Sequence, residues 1–322
     1  MDRPKIVVTR KIPEPALRLL REYGDTYVWD SEEEAIPDEV LAREMKEAAA
    51  VFTNVSDRID RALIESAPHL KVISTMAVGF DNIDVGAAQE RRIPVGHTPG
   101  ILTEATADLT FALLMATARR IVEGSAYVHS GQWQSWGPML LTGQDIFGAT
   151  LGIIGMGRIG EGVARRARGF DMKVLYHNRS RRPKAEEDLG AMYRELDDLL
   201  RESDFVVLLA PGSSQTRHML GEREFALMKS NAVFINTSRG TNVDESALYQ
   251  ALKNRKIWAA GLDVFEREPV DPAHPLLTLP NVTVLPHIGS ASIATREHMA
   301  MTAAQNIIAG LQGDPLPFEV TL

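Results

Sequence analysis

Short apolar runs, rich in β-branched residues, recur along the chain, and amphipathic stretches at helical spacing separate them. In the first third these runs are KIVVT (5–9), AVFT (50–53) and KVIST (71–75), with helical stretches near 13–23, 60–66 and 84–91. From the middle onward they are TLGIIG (150–155), MKVLYH (172–177), DFVVLLA (204–210), AVFINTS (232–238), AAGLDVF (259–265) and VTVLP (282–286). Strands that are apolar on both faces and alternate with helices predict parallel sheets covered on both sides. Two such series predict an α/β chain with two doubly wound domains. Two longer helical stretches, 103–124 and 292–313, are placed to pass between the domains. The first domain is therefore expected to be discontinuous, 1–98 plus 290–322, with 99–289 inserted into it.

One segment fits neither series. Residues 125–148, SAYVHSGQWQSWGPMLLTGQDIFG, are too long for an ordinary connection and carry Trp133, Trp136, Met139, Leu140 and Leu141. Loops of this length inside compact domains are functional or disordered, and this composition is not that of a disordered segment. It is expected to be an arm that packs on a second copy of the chain, making a homodimer.

A length of 322 residues suits two domains, and 44% hydrophobic with 24% charged residues is ordinary for a globular protein. The net charge of −8 argues against nucleic acid or an anionic membrane as a partner. The absence of cysteine excludes disulfides, thiolate nucleophiles and cysteine-held metals, and it fits a reducing cytoplasm. MDRPKIVVTRK carries no apolar signal segment, and no apolar run is long enough to span a bilayer. The eight histidines show no metal-ligand spacing, so no metal is expected.

The chemistry begins at Gly155-Met156-Gly157-Arg158-Ile159-Gly160, which follows one apolar run and opens a helix near 158–169. The first glycine permits the tight turn, the second lets the backbone approach a pyrophosphate, and the third lets helix and strand pack closely. The helix start then offers free N–H groups and a partial positive charge to phosphates. A chain that binds NAD places an acid about 20 residues further on, to grip the ribose hydroxyls. This chain has Asn178 and Arg179 there, with Arg181 and Arg182 beyond. Loss of the acid removes repulsion of a 2′-phosphate, and Arg179 can pair with one, so NADP(H) is expected in preference to NAD(H).

Three further residues follow strand ends of the inserted domain: Arg239 in INTSRG, Glu268 in DVFEREP and His287 in LPHIGSAS. Ligands of open α/β sheets bind at these carboxyl ends. A guanidinium can grip a carboxylate and polarise an adjacent ketone, and an imidazolium can donate a proton while nicotinamide delivers hydride. A neighbouring carboxylate would orient that imidazolium and favour it. Together they suit reduction of a 2-keto acid.

The chain resembles the NAD(P)-dependent D-2-hydroxyacid dehydrogenases, and among them the glyoxylate/hydroxypyruvate reductases. The resemblance rests on VGFDNID (78–84), TPGILTEATADLTFALLMATARR (98–120), GQWQSW (131–136), GIIGMGRIG (152–160), NTSRG (236–240), GLDVFEREP (261–269) and LPHIGSA (285–291). It implies a Rossmann nucleotide-binding domain inserted into a flavodoxin-like substrate domain. It implies that Arg239 binds the substrate carboxylate and keto oxygen and that Glu268 and His287 form the acid–base pair. The N–H groups of Val78 and Gly79 would meet the carboxylate, and Leu102 would help limit substrate size. Trp136 would close the site of a partner subunit. Asp263 would hold the nicotinamide carboxamide, Thr237 and Ser238 would line the ring, and Pro211 would border the ribose. Arg158 and Ile159 would sit at the pyrophosphate, and Ser180, Thr216 and Gly289 join the cofactor residues. PGSSQT (211–216) departs from relatives by placing Gly212 and Ser213 where they commonly carry Leu-Thr. Phosphite oxidation on the same scaffold, which needs a lysine at the position of Val78, and a nucleotide-sensing corepressor stand as the alternatives.

Overall fold

The computed structural model describes residues 3–321. It divides into a first unit, up to Leu102 and from Ala291 on, and a second unit, Thr103–Ser290. In the first unit, strands β1 (Lys5–Val8), β2 (Asp25–Val28), β3 (Ala48–Thr53), β4 (Val72–Thr75) and β5 (Val95–Gly96) form a parallel sheet in the order β2-β1-β3-β4-β5. This is the flavodoxin-like order. Helices α1 (Glu14–Tyr23), α2 (Asp38–Met45), α3 (Arg61–Glu65) and α4 (Val85–Glu90) connect the strands.

The second unit opens with helices α5 (Thr103–Ala118) and α6 (Ile121–His129). Its strands are β6 (Thr150–Ile154), β7 (Lys173–His177), β8 (Met192–Tyr193), β9 (Phe205–Leu208), β10 (Val233–Asn236), β11 (Ala259–Leu262) and β12 (Val282–Val284). They form one parallel sheet in the order β12-β11-β10-β9-β6-β7-β8, a Rossmann arrangement with one strand added. Between them lie α7 (Arg158–Arg168), α8 (Pro183–Leu189), α9 (Leu196–Glu202), α10 (Glu222–Leu227) and α11 (Glu245–Lys253). The chain returns to the first unit through α12 (Ile293–Gln312), which packs on α1, β3 and β4. No helix among the described residues is long and apolar enough to cross a membrane.

The central strands FVVL of β9 and VFIN of β10 are buried at every position, as their unbroken apolar character predicts. The sequence reading omits β2, β5 and β8. All three lie at sheet edges, two of them only two residues long, so they carry no continuous apolar run.

The helix expected over 103–124 is two helices. Arg120 turns into the left-handed region (φ 52°), and α6 starts after it. The cause is non-local. The Ala118 carbonyl accepts the N–H of Gln144, and Arg120 donates to the Thr142 carbonyl at 3.4 Å while its guanidinium pairs with Glu123.

Candidate active site

Strands β10, β11 and β12 are neighbours, so the loops at their carboxyl ends are neighbours too. They carry Arg239, Glu268 and His287. The His287 imidazole Nδ1 lies 2.6 Å from Glu268 Oε2. An ionised carboxylate only accepts, so Nδ1 carries the proton and Nε2 is the free end of the ring. The other oxygen of Glu268 accepts the Phe265 N–H at 2.9 Å, which fixes the carboxylate plane.

His287 itself is in the left-handed region, φ 55°. For a non-glycine residue that conformation costs on the order of 1–2 kcal/mol, so something must hold it. Asp263, 1% exposed, does so. Its main-chain carbonyl accepts the His287 N–H at 2.9 Å, and its carboxylate oxygens accept the N–H groups of Ile288 and Gly289, each at 2.8 Å. Burial pushes the Asp263 carboxyl above its ordinary value, against the pull of those amides and of His287.

The Arg239 loop is joined to the Glu268 loop. Gly240 packs so closely on the main chain of Phe265 that a Cβ there would fall 1.8 Å from the carbonyl carbon. Glu245, at the start of α11, accepts the Glu266 N–H at 2.8 Å and meets His274 Nε2 at 3.2 Å. Asn236 closes the turn before Arg239: its Oδ1 accepts the Ser238 N–H and hydroxyl, and its amide donates to the Arg239 carbonyl at 3.1 Å. Asn242 ties the same turn to the Ala210 carbonyl at 2.8 Å. Gly212 leaves room for the stem of Arg239, since a Cβ there would be 3.0 Å from its Cγ.

The glycine turn has the geometry of a phosphate cradle. Gly155 has φ 103°, and a Cβ on it would lie 2.6 Å from the Ala210 nitrogen. Gly157 caps α7, and a Cβ there would meet nothing within 4 Å, which leaves open space at the helix start. The first-turn N–H groups of 158–160 lack acceptors within the helix and form the positive end of its dipole. These residues therefore fit a dinucleotide pyrophosphate.

At the end of β7, Asn178 does more than leave out an acid. Its Oδ1 accepts the Met156 N–H at 2.7 Å and its Nδ2 donates to the Met156 carbonyl at 3.1 Å, so it braces the glycine turn. Arg182 Nε donates to the same carbonyl at 3.0 Å. Arg179 is exposed and bonds to Gln215 at 3.2 Å. Arg181 is committed to a bidentate pair with Glu186, so its charge is balanced locally. Nearby, Thr216 Oγ1 closes the 211–216 loop on the Pro211 carbonyl at 2.8 Å, and Thr237 Oγ1 bonds to Thr110 at 2.7 Å. Ser180 is exposed.

Residues 111–289 match the family model for the NAD binding domain of D-isomer specific 2-hydroxyacid dehydrogenases. The chain belongs to that family. It is 48% identical over 319 residues to a glyoxylate reductase of Thermococcus litoralis, covering 98% of this chain and 96% of the relative. Among solved structures, a Thermus thermophilus protein is 45% identical with a TM-score of 0.92, covering 98% of this chain and all of that one (100%). An NADPH-dependent glyoxylate/hydroxypyruvate reductase of Sinorhizobium meliloti, solved with NADP and malonate, is 32% identical with a TM-score of 0.86, covering 99% of this chain and 97% of the other.

In the first unit of this dehydrogenase, Val78 and Gly79 are half-buried in the turn that follows β4, and Leu102 is half-buried near the end of that segment. Asn82 ties this turn to the loop after β3, donating to the carbonyls of Asn54 at 2.9 Å and Asp57 at 2.6 Å. In the second unit, α6 buries none of its residues, although it presents Ile121, Val122 and Val128. The chain beyond it exposes Trp136 (79%), Met139 (76%) and Phe147 (73%), with Trp133 and Leu140.

The sequence reading of the candidate site missed its supports: Asn236, Asn242, Glu245 and the pair of hydrogen bonds between Asn178 and Met156. The asparagine inside the apolar run AVFINTS was a signal, because a fully buried polar residue at a strand end must find partners.

Proposed function

We propose that the protein reduces small 2-keto acids, glyoxylate and hydroxypyruvate among them, to 2-hydroxy acids, with NADPH as the preferred reductant, as a homodimer in the cytoplasm. The observation that carries this reading is the Glu268–His287 pair at 2.6 Å on the same sheet as the glycine turn. When bound, the nicotinamide supplies a hydride to the keto carbon. His287 donates a proton from Nε2 to the keto oxygen and regains it from solvent, and Glu268 keeps the ring in the Nδ1–H orientation. Arg239 offers its planar fork to the substrate carboxylate and keto oxygen. Val78 and Gly79 offer backbone N–H groups to the same carboxylate, and Leu102 bounds the substrate. The pyrophosphate is read by Gly155, Gly157, Arg158, Ile159 and Gly160, the ribose side by Asn178, Arg179, Ser180, Pro211 and Thr216. The nicotinamide side is assigned to Thr237, Ser238, Asp263 and Gly289. The test is kcat/KM for a panel of small 2-keto acids with NADH and NADPH. Absence of turnover with every acid would remove the proposal.

For the cofactor, kcat/KM with NADPH is expected to exceed that with NADH by about one to two orders of magnitude, the scale of one charge-assisted phosphate contact. The ratio should shrink as salt rises, because Arg179 is at the surface. Arg179→Ala should lower efficiency with NADPH more than with NADH. Equal or better efficiency with NADH in the unmutated enzyme would show that 178–182 does not read the phosphate.

For the assembly, light scattering is expected to give twice the 35.5 kDa chain mass. A helix without a single buried residue, continued by exposed tryptophan and methionine, is a surface that a second copy can cover. Trp136→Ala should raise KM for the keto acid more than KM for the cofactor. A fully active monomer at micromolar concentration would exclude the arm as a partner contact.

A further inference from the structure

His97 Nδ1 lies 3.0 Å from the Val78 carbonyl oxygen. A carbonyl can only accept, so Nδ1 is the donor, which fixes the tautomer of the neutral ring. The imidazole packs against the ring of Phe80 at 5.8 Å and 79°. The main chain of His97 is held as well: its N–H donates to the Phe318 carbonyl at 3.1 Å, and its carbonyl accepts from Nδ2 of the buried Asn306 at 3.1 Å. The next residue donates its N–H to Ala77 at 2.8 Å, so the chain leaving β5 runs hydrogen-bonded beside the turn after β4.

The Val78 carbonyl and the Gly79 N–H are the two ends of one planar peptide unit. A donor on the carbonyl does two things to the N–H. It fixes the rotation of the amide plane, and so the direction in which the N–H points. It also polarises the amide, which strengthens the N–H as a donor. We infer that His97 is a positioning residue for the substrate: through the Val78–Gly79 peptide it aims and strengthens the backbone N–H that receives the keto acid's carboxylate. The inference rests on the proposed role of Val78 and Gly79. His97 serves binding, because the carboxylate keeps its charge from ground state to transition state. An interaction of that kind changes KM and leaves kcat alone.

Two substitutions separate the donor from the ring. His97→Phe keeps an aromatic edge against Phe80 and removes the donor. His97→Asn keeps an N–H donor at nearly the position of Nδ1. In His97→Phe, KM for glyoxylate and the inhibition constant of oxamate, a non-reducible analogue, should rise together by about 5–20-fold, the scale of one lost hydrogen bond to a charged group. The kcat at saturating glyoxylate should stay within about twofold and KM for NADPH should not change. His97→Asn should bring both substrate constants back to within about threefold of the unmutated enzyme. A His97→Phe enzyme with unaltered glyoxylate KM, or a His97→Asn enzyme as impaired as His97→Phe, overturns the inference.

Two measurements on the unmutated holoenzyme stand apart from the variants. Histidine 15N shifts should show His97 as the Nδ1–H tautomer, and an Nε2–H tautomer overturns the inference even where the variants do not fold. With selective 15N-glycine labelling, the Gly79 amide should shift on addition of oxamate. An unmoved amide removes the role of Gly79, and the inference with it. A shifting amide with an unaltered His97→Phe affinity removes the inference alone.

Discussion

Replacement of His287 by alanine is expected to lower kcat by about 10²–10⁴, the usual scale for a lost general acid. The geometry makes the loss specific. Nδ1 is occupied by Glu268 at 2.6 Å, so only Nε2 is available to a substrate. The backbone should survive the change, because the bonds that hold residue 287 are made by main-chain N–H groups to Asp263. Alanine also removes a side chain from a loop, not from a core, so thermal unfolding should change little. Cofactor affinity, measured by quenching of protein fluorescence, should stay near that of the unmutated enzyme. Glu268→Gln should be milder but not neutral: its single amide oxygen can accept from Nδ1 only by turning the NH2 group against the Phe265 N–H, and the negative charge is lost. Near-normal turnover of His287→Ala at neutral pH would refute the acid assignment.

Gly240→Ala should be nearly as damaging, although its side chain is a single methyl. A Cβ at that position would fall 1.8 Å from the Phe265 carbonyl carbon and 2.1 Å from its oxygen, so backbone has to move. Two loops share the displacement. One begins at Arg239, directly before the glycine. The other carries Glu268, whose carboxylate is held by the Phe265 N–H. A displacement of about 1 Å at reacting groups costs on the order of 10²-fold in rate, and here the loops of two residues of the proposed site shift. The expected result is a fall in kcat/KM of about 10²-fold or more, with a stability loss of about 1–3 kcal/mol from overpacking. Steady-state kinetics with a denaturation curve on the same sample checks both. A Gly240→Ala enzyme with ordinary kinetics would mean that the two loops are not mechanically joined.

The parts of the molecule legible in the sequence share one property: each is decided by residues adjacent in the chain. Fully buried strands such as β9 read as strands because both faces are apolar. The glycine turn reads as a turn because three glycines, a strand and a helix follow one another. Arg239, Glu268 and His287 stood out because each closely follows a strand end. The parts that were not legible depend on partners far along the chain. Nothing in TARRIVEG signals a helix break at Arg120. The break is made by 142–144 returning to the end of α5. The three arginines after β7 read as one basic patch, yet Glu186 withdraws Arg181 from it and the Met156 carbonyl engages Arg182. Glu245 reads as an ordinary first-turn acid of α11, and its bond to the amide of Glu266 spans 21 residues.

The two bonds from Asn178 to Met156 have a bearing on how such an enzyme can be re-tuned. Under the proposed preference for NADPH, an engineer or natural drift moving this chain toward NADH would begin with Asn178→Asp, which sets an acid where an NAD-binding chain has one. That exchange keeps an acceptor for the Met156 N–H but sets a carboxylate oxygen against the Met156 carbonyl, where an amide donor stood at 3.1 Å. Two acceptors facing each other repel, and the glycine turn would be loosened by the same step that improves the ribose contact. Under that proposed preference, coenzyme choice is therefore coupled to the integrity of the glycine turn, and a route toward NADH alters Arg179 first and leaves Asn178 in place.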